Sequence, residues 1–124
     1  MIDFKNAKFF KLSKGKIGDF EKLLLPLFVE DEVIIESFKG MRDGVVFTNK
    51  RLIAINVQGF TGSKKDFTSI PYSKIQLFSV ETAGTFDMDS ELVLYLSGAG
   101  AIKFEFTHDS NVAEICKIIS ERIF

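Results

Sequence analysis

Between Asp31 and Thr107 apolar side chains recur every second residue, and beyond Asn111 they recur every three or four. No other property constrains the fold as tightly. A period of two matches side chains alternating across a sheet, whereas a period near 3.6 matches one stripe of a helix. Val33–Lys39, rich in β-branched and aromatic residues, ends at Gly40, and Gly44 closes a five-residue hairpin connection into Val45–Thr48. Asn49-Lys50 turns the chain into Arg51–Gln58, where Ile53, Ile55 and Val57 share a face. Phe67–Ile70 is a short strand stopped by Pro71, a residue confined to edges and bends. Ile75–Thr82 comes next, and Glu91–Leu96 and Ala101–Thr107 form a last hairpin around Ser97-Gly98-Ala99-Gly100. The pattern predicts seven antiparallel strands.

Val112, Ile115, Cys116, Ile119 and Ile123 then form one helical stripe, with Asn111 and Glu114 at capping-box spacing. A chain of 124 residues is one domain's length. Two packed antiparallel sheets leave an open end, and a final amphipathic helix is the expected cover. Before Asp31 the character differs. Ile17, Phe20, Leu24 and Phe28 have helical spacing, and Pro26 closes the segment. Five lysines against Asp3 give residues 1–16 a charge of +4, so the net charge of −1 leaves −5 on the remainder. Residues 1–30 therefore read as a basic, helical extension and residues 31–124 as the domain proper.

Composition excludes several classes. Sixteen Lys and Arg balance seventeen Asp and Glu, which is not the basic excess of a nucleic-acid binder. The longest apolar run, Leu23–Val29, is interrupted by Pro26 and falls far short of the roughly 20 residues that span a bilayer. No secretory leader pattern and no Asn-x-Ser/Thr sequon is present, and Cys116, the one cysteine, has no internal partner, so a reducing cytoplasm is expected. One Cys and one His do not make a zinc site.

Several blocks carry a family likeness: Arg42-Asp43, Phe47-Thr48-Asn49-Lys50-Arg51-Leu52-Ile53, Gly59-Phe60-Thr61-Gly62-Ser63-Lys64-Lys65, Ile70-Pro71-Tyr72-Ser73-Lys74-Ile75 and Val80-Glu81-Thr82-Ala83-Gly84-Thr85-Phe86-Asp87. In this order they resemble the bacterial pleckstrin-homology-like domain family, with weaker likeness through Glu91-Leu92 and the final helix. The resemblance implies a mainly β, pleckstrin-homology-like barrel of seven antiparallel strands in two packed sheets, closed by a C-terminal α-helix. It also implies assembly into closed homo-oligomeric rings, pentamers, without an assigned activity. Eukaryotic relatives bind phosphoinositides through basic residues of the first hairpin loop. Here that loop is Lys39-Gly40-Met41-Arg42-Asp43-Gly44, which lacks the paired-basic pattern, so that recognition does not carry over.

No catalytic, cofactor or metal residue is called, and the chain is read as a non-enzyme without cofactors. Gly59–Lys65 has two residues between its glycines where a phosphate loop needs four. Asp87, Asp89 and Glu91 imitate the start of a calcium loop, but Leu92 and Gly98 stand where Gly and Glu are required. His108 precedes a helix among capping residues, and Cys116 falls on the apolar stripe, where a thiol is core. Glu81, an acid in an otherwise apolar strand, is either simply exposed or meets a cationic or amide partner, Arg42 or Arg51 of the same or a neighbouring chain.

Fourteen Phe, with no Trp, exceed what a small barrel encloses. Ile75–Thr82 and Leu92–Leu96 are apolar on both faces, where a solvated antiparallel strand shows one polar face. These outer faces point to self-association as a homo-oligomer. The candidate subunit contacts are Arg42, Asp43, Arg51, Phe78, Val80, Glu81, Phe86 and Asp87. A second reading places Lys5, Lys8, Lys11, Lys14 and Lys16, with Phe4, Phe9 and Phe10 between them, on an anionic bilayer. The favoured alternative packs these aromatics on the barrel and solvates the lysines.

Overall fold

The computed structural model describes residues 2, 8–58, 64–85, 89–108 and 110–124. Eight strands form: β1 (Lys8–Lys14), β2 (Ile34–Lys39), β3 (Asp43–Thr48), β4 (Arg51–Gln58), β5 (Lys64–Pro71), β6 (Ile75–Glu81), β7 (Ser90–Leu96) and β8 (Gly100–Phe106). A short helix, α1 (Glu21–Leu24), sits between the 3-10 turns Ile17–Asp19 and Leu25–Leu27, and α2 (Val112–Ile123) ends the chain. The predicted strands and both helical regions are present. Their arrangement corrects the expectation of a seven-stranded antiparallel barrel in two sheets.

The strands follow one hydrogen-bonded order, β5-β4-β3-β2-β1-β8-β7-β6. β5 and β6 stand at the two ends of that order, so the sheet is open. β1 supplies the eighth strand and the link between halves. It runs antiparallel to β2, with Ser13 opposite Lys39, and parallel to β8, with Lys8 opposite Lys103 and Phe9 opposite Phe104. The sheet is therefore mixed. The segment read as helical begins with this strand because its register shifts between Phe9 and Leu12, where Lys11 takes φ +51°. The extra residue turns both Phe9 and Leu12 inward and erases the period-two signature.

Both halves of the sheet wrap one core. Phe38, Phe47 and Leu52 come from β2–β4, Leu92, Leu94, Phe104 and Phe106 from β7 and β8, and Ile115, Ile118 and Ile119 from α2. Phe9 stacks on Phe104 with centroids 5.1 Å apart, and Phe38 meets Phe106 edge-on at 4.8 Å. Asn111 caps α2, its Oδ1 accepting the Glu114 N–H at 3.2 Å. The helix is rotated slightly from the predicted stripe. Ile118 enters the core and Cys116 is only half-buried, which corrects its assignment to the interior.

Three of the phenylalanines, Phe20, Phe28 and Phe67, gather in a second cluster, while Phe124 is exposed. Phe20 and Leu24 fold over the outer face of β3 and β4 and bury Val46, Ile53 and Ile55, with Phe28, Ile34 and Phe67 packed alongside. This second core explains why β4 is buried on both faces: Leu52 and Ala54 point to one core, Ile53 and Ile55 to the other. Gly44 is required here, because a Cβ at that position would collide with the Phe20 ring. The 17–34 segment is thus a collar seated on half of the sheet.

Candidate functional site

The collar is tied down by the turn after β3. Asn49 Oδ1 accepts the Val33 N–H at 2.9 Å, and its Nδ2 donates to the Asp31 carbonyl at 2.9 Å. Next to it lies a buried ion pair. Arg51 grips the Glu32 carboxylate with two hydrogen bonds, Nε to Oε2 and Nη2 to Oε1, both 2.9 Å. Thr48 Oγ1 donates to the same carboxylate at 2.7 Å and the Val29 N–H at 3.1 Å. The remaining guanidinium donors reach Ser69 Oγ and the Leu27 carbonyl. Tyr72 completes the cluster by donating its hydroxyl to the Thr48 carbonyl at 2.7 Å.

Burial alone would push the Glu32 carboxyl up, but hydrogen bonds from Arg51, Thr48 and Val29, with the guanidinium charge, outweigh it and hold the group below the usual carboxylate range. Burial raises the Tyr72 hydroxyl well above the ordinary tyrosine range. Every strong donor of Arg51 is engaged within its own chain. The Thr48-Asn49-Lys50-Arg51 block therefore holds the collar in place, and Arg51 is occupied as a fold contact. Glu32, the decisive partner, lies in a loop where an acid gives no sequence signal.

Glu81 is exposed at the end of β6, directly opposite Glu91, and Arg51 is committed to Glu32; the candidate Glu81–Arg51 pair is absent within the chain. Arg42 is exposed and Asp43 half-buried at the start of β3. Burial pushes the Asp43 carboxyl up against the opposing pull of Arg42 and a backbone hydrogen bond from Val57. Phe78 and Val80 turn inward and pack on the main core, and the register slip between Ile75 and Leu77 reverses the expected parity. Leu77 faces outward instead, 53% exposed, opposite Tyr95 at 41%. Phe86 and Asp87 lie outside the described residues.

Two of the five lysines are matched by acids. Lys11 meets Asp89 at 2.5 Å and Glu105 at 3.9 Å, and Lys14 meets Glu36 at 3.4 Å. Lys8 is half-buried in β1, Lys16 is exposed, and Lys5 lies outside the described residues. Lys11, Lys14 and Lys39 border an open basin of about 510 Å3, with Asp19 in its wall. Of the calcium-like acids, Asp89 is bound by Lys11 and Glu91 by Lys103 at 3.2 Å. The glycine-bearing 59–63 stretch lies outside the described residues. His108 is exposed, and no group of three or more metal-ligating side chains occurs among the described residues. No helix among them is long and apolar enough to cross a membrane.

Besides Met41 and Phe124, the large apolar side chains exposed among the described residues fall into two regions. One is the Leu77–Tyr95 face, on the unpaired edge strand β6 and its neighbour. The other is the outside of the collar, where Ile17, Leu23, Leu25, Leu27, Val29 and Val33 are exposed. A groove of about 310 Å3 runs along that collar, bordered by Ile17, Glu21, Leu25, Phe28, Val33 and Ile34. Exposed apolar patches of this kind mark interaction surfaces.

Comparison with known proteins agrees with this architecture. The chain is 46% identical over 99 residues to the Bacillus subtilis (strain 168) protein YjqA, covering 78% of this chain and 79% of that one. A crystal structure of a DUF1696 family protein with a pleckstrin-homology domain, from Shewanella loihica PV-4, superposes with a TM-score of 0.82 at 38% identity, covering 92% of this chain and 98% of that one. A pleckstrin homology domain from Shewanella amazonensis SB2B gives 0.69 at 42% identity, covering 90% and 91%. The family described as Bacterial PH domain matches residues 3–123. With its bent sheet, closing helix and Thr48–Arg51 tie, the chain belongs to the bacterial PH domain family.

Proposed function

We propose that this chain is a non-enzymatic, self-assembling protein-interaction module whose copies close into a homo-oligomeric ring. The observation that carries the reading is the outward pair Leu77 and Tyr95, facing each other across β6 and β7: β6 has no second neighbour among the described residues, and Leu77 stands exposed on its outer face beside Ser79 and Glu81. Two separate apolar surfaces on one chain suit a head-to-tail contact, which generates a ring when its rotation closes. The family likeness drawn from the sequence favours closure.

The bilayer reading has weaker support. Lys11 and Lys14 are matched by acids, which removes much of the roughly 1 kcal/mol that each lysine contributes at an anionic surface. Light scattering coupled to size exclusion is the test. Self-assembly predicts a discrete mass at a multiple of 14.0 kDa. A monomer that persists at high concentration refutes it, and salt-sensitive sedimentation of that monomer with phosphatidylserine vesicles would establish the bilayer reading instead.

A further inference from the structure

The collar groove is unassigned by anything above, and its partner is visible elsewhere on the same chain. Met41, at the tip of the β2–β3 hairpin, is 99% exposed. It is the most exposed large apolar side chain among the described residues, and it stands between two cations, Lys39 and Arg42. The groove has the complementary character. Leu25 and Val33, 56% and 57% exposed, border it with Ile17 and Phe28, and Glu21 lies on its rim. The surrounding collar carries Glu30 and Asp31 against Lys22, while Asp19 borders the basin that Met41 itself lines.

Met41 does not line this groove in its own chain. Val33 and Ile34 lie at the start of β2, and Met41 follows its end; five steps of strand at about 3.3 Å separate them by about 17 Å. Phe20 packs against Gly44 at the base of the same hairpin. A knob and a hole set apart on one molecule, with opposite charge around each, suit a contact between molecules.

We infer that the Met41 hairpin tip of one copy seats in the Ile17–Ile34 collar groove of the next, with Lys39 and Arg42 facing Glu21 and the acids of the collar. Met is suited to the role because its unbranched thioether adapts to an irregular apolar slot. The pairing rests on the self-assembly proposed above and names one contact of that assembly.

The experiment measures assembly mass over a concentration series for the full chain and for two surface substitutions, Met41→Asp and Leu25→Glu, with circular dichroism to establish folding. The inference expects both variants to fold and to weaken assembly at least tenfold. Glu21→Lys should weaken it too, and Lys39→Glu combined with Glu21→Lys should restore part of the loss. A second readout needs no loss of assembly: chains carrying Met41→Cys and Leu25→Cys, each on a Cys116→Ser background, should form a mixed disulfide when combined. Assembly of the parent chain with no effect of either substitution, or no mixed disulfide, overturns the Met41 contact and leaves self-assembly through another face standing. A parent chain that stays monomeric at every concentration overturns both.

Discussion

The outer face of β3–β5 and the outer face of β6–β7 belong to one sheet, yet they end differently. The first is covered by the collar, which buries Val46, Ile53 and Ile55 beneath Phe20 and Leu24. The second carries no such cover and leaves Leu77 and Tyr95 in water. The fold therefore meets the same problem, apolar residues on the back of a sheet, once with its own chain and once not at all. An apolar face that a chain could have capped locally, and did not, is where a second molecule is expected. The comparison also shows that capping moves the problem outward: the collar hides one apolar face and presents a smaller one of its own.

The largest effect should come from breaking the tie that seats the collar. Arg51→Ala leaves the Glu32 carboxylate buried without its guanidinium partner, and loss of one member of a buried pair costs roughly 3–5 kcal/mol. Chemical denaturation should show that loss, and hydrogen exchange should show it first as opening of residues 28–34. A drop below about 1 kcal/mol would mean that the collar is held by apolar contact alone. Next in size is Phe20→Ala, which empties the second core and should cost about 3 kcal/mol or more. Its exchange signature should be confined to β3, β4 and the collar, leaving β6–β8 protected.

Acid should act on the two tethers in opposite senses. The Glu32 carboxyl is held below its unfolded value, so its contribution is present above the unfolded pKa and is lost as pH falls through the folded one. The Asp43 carboxyl is held above its unfolded value, so protonating it on the way down favours the folded state. Glu32→Gln should therefore flatten the loss of stability on acidification below the ordinary carboxylate range, and Asp43→Asn should remove a gain that falls at and just above that range. Urea midpoints measured across that range decide the matter. The smallest effect on the folded chain belongs to the bare face: Leu77→Ser should change monomer stability by no more than about 0.5 kcal/mol. The same change should lower the assembly mass, and an unchanged mass would remove this face from the interface.

The strands β2–β8 and the helix α2 were legible because each shows its hydrophobic period over several residues. β1 was not, because the bulge at Lys11 places Phe9 and Leu12 three apart on the same side and imitates a turn or helix. The block Thr48–Arg51 stood out as a pattern of residues, but its role did not. Arg51 could have met any acid, and the one it meets, nineteen positions earlier, sits in an unremarked loop. Likewise Phe78 and Val80 read as outward candidates, until the slip in β6 separated Ile75 from Leu77 and left Leu77 alone of the four in water.

By itself the sequence determined the mainly β class, the covering helix, the charge balance and the family, since these follow from local periodicity and composition, which each short stretch carries within it. Only the tertiary structure decided that the N-terminal segment joins the sheet, that Phe20, Phe28 and Phe67 gather in a second core, and which apolar side chains remain outside. Those outcomes depend on strand register and on contacts between residues far apart along the chain, and a one-residue shift in register reverses which face a side chain occupies.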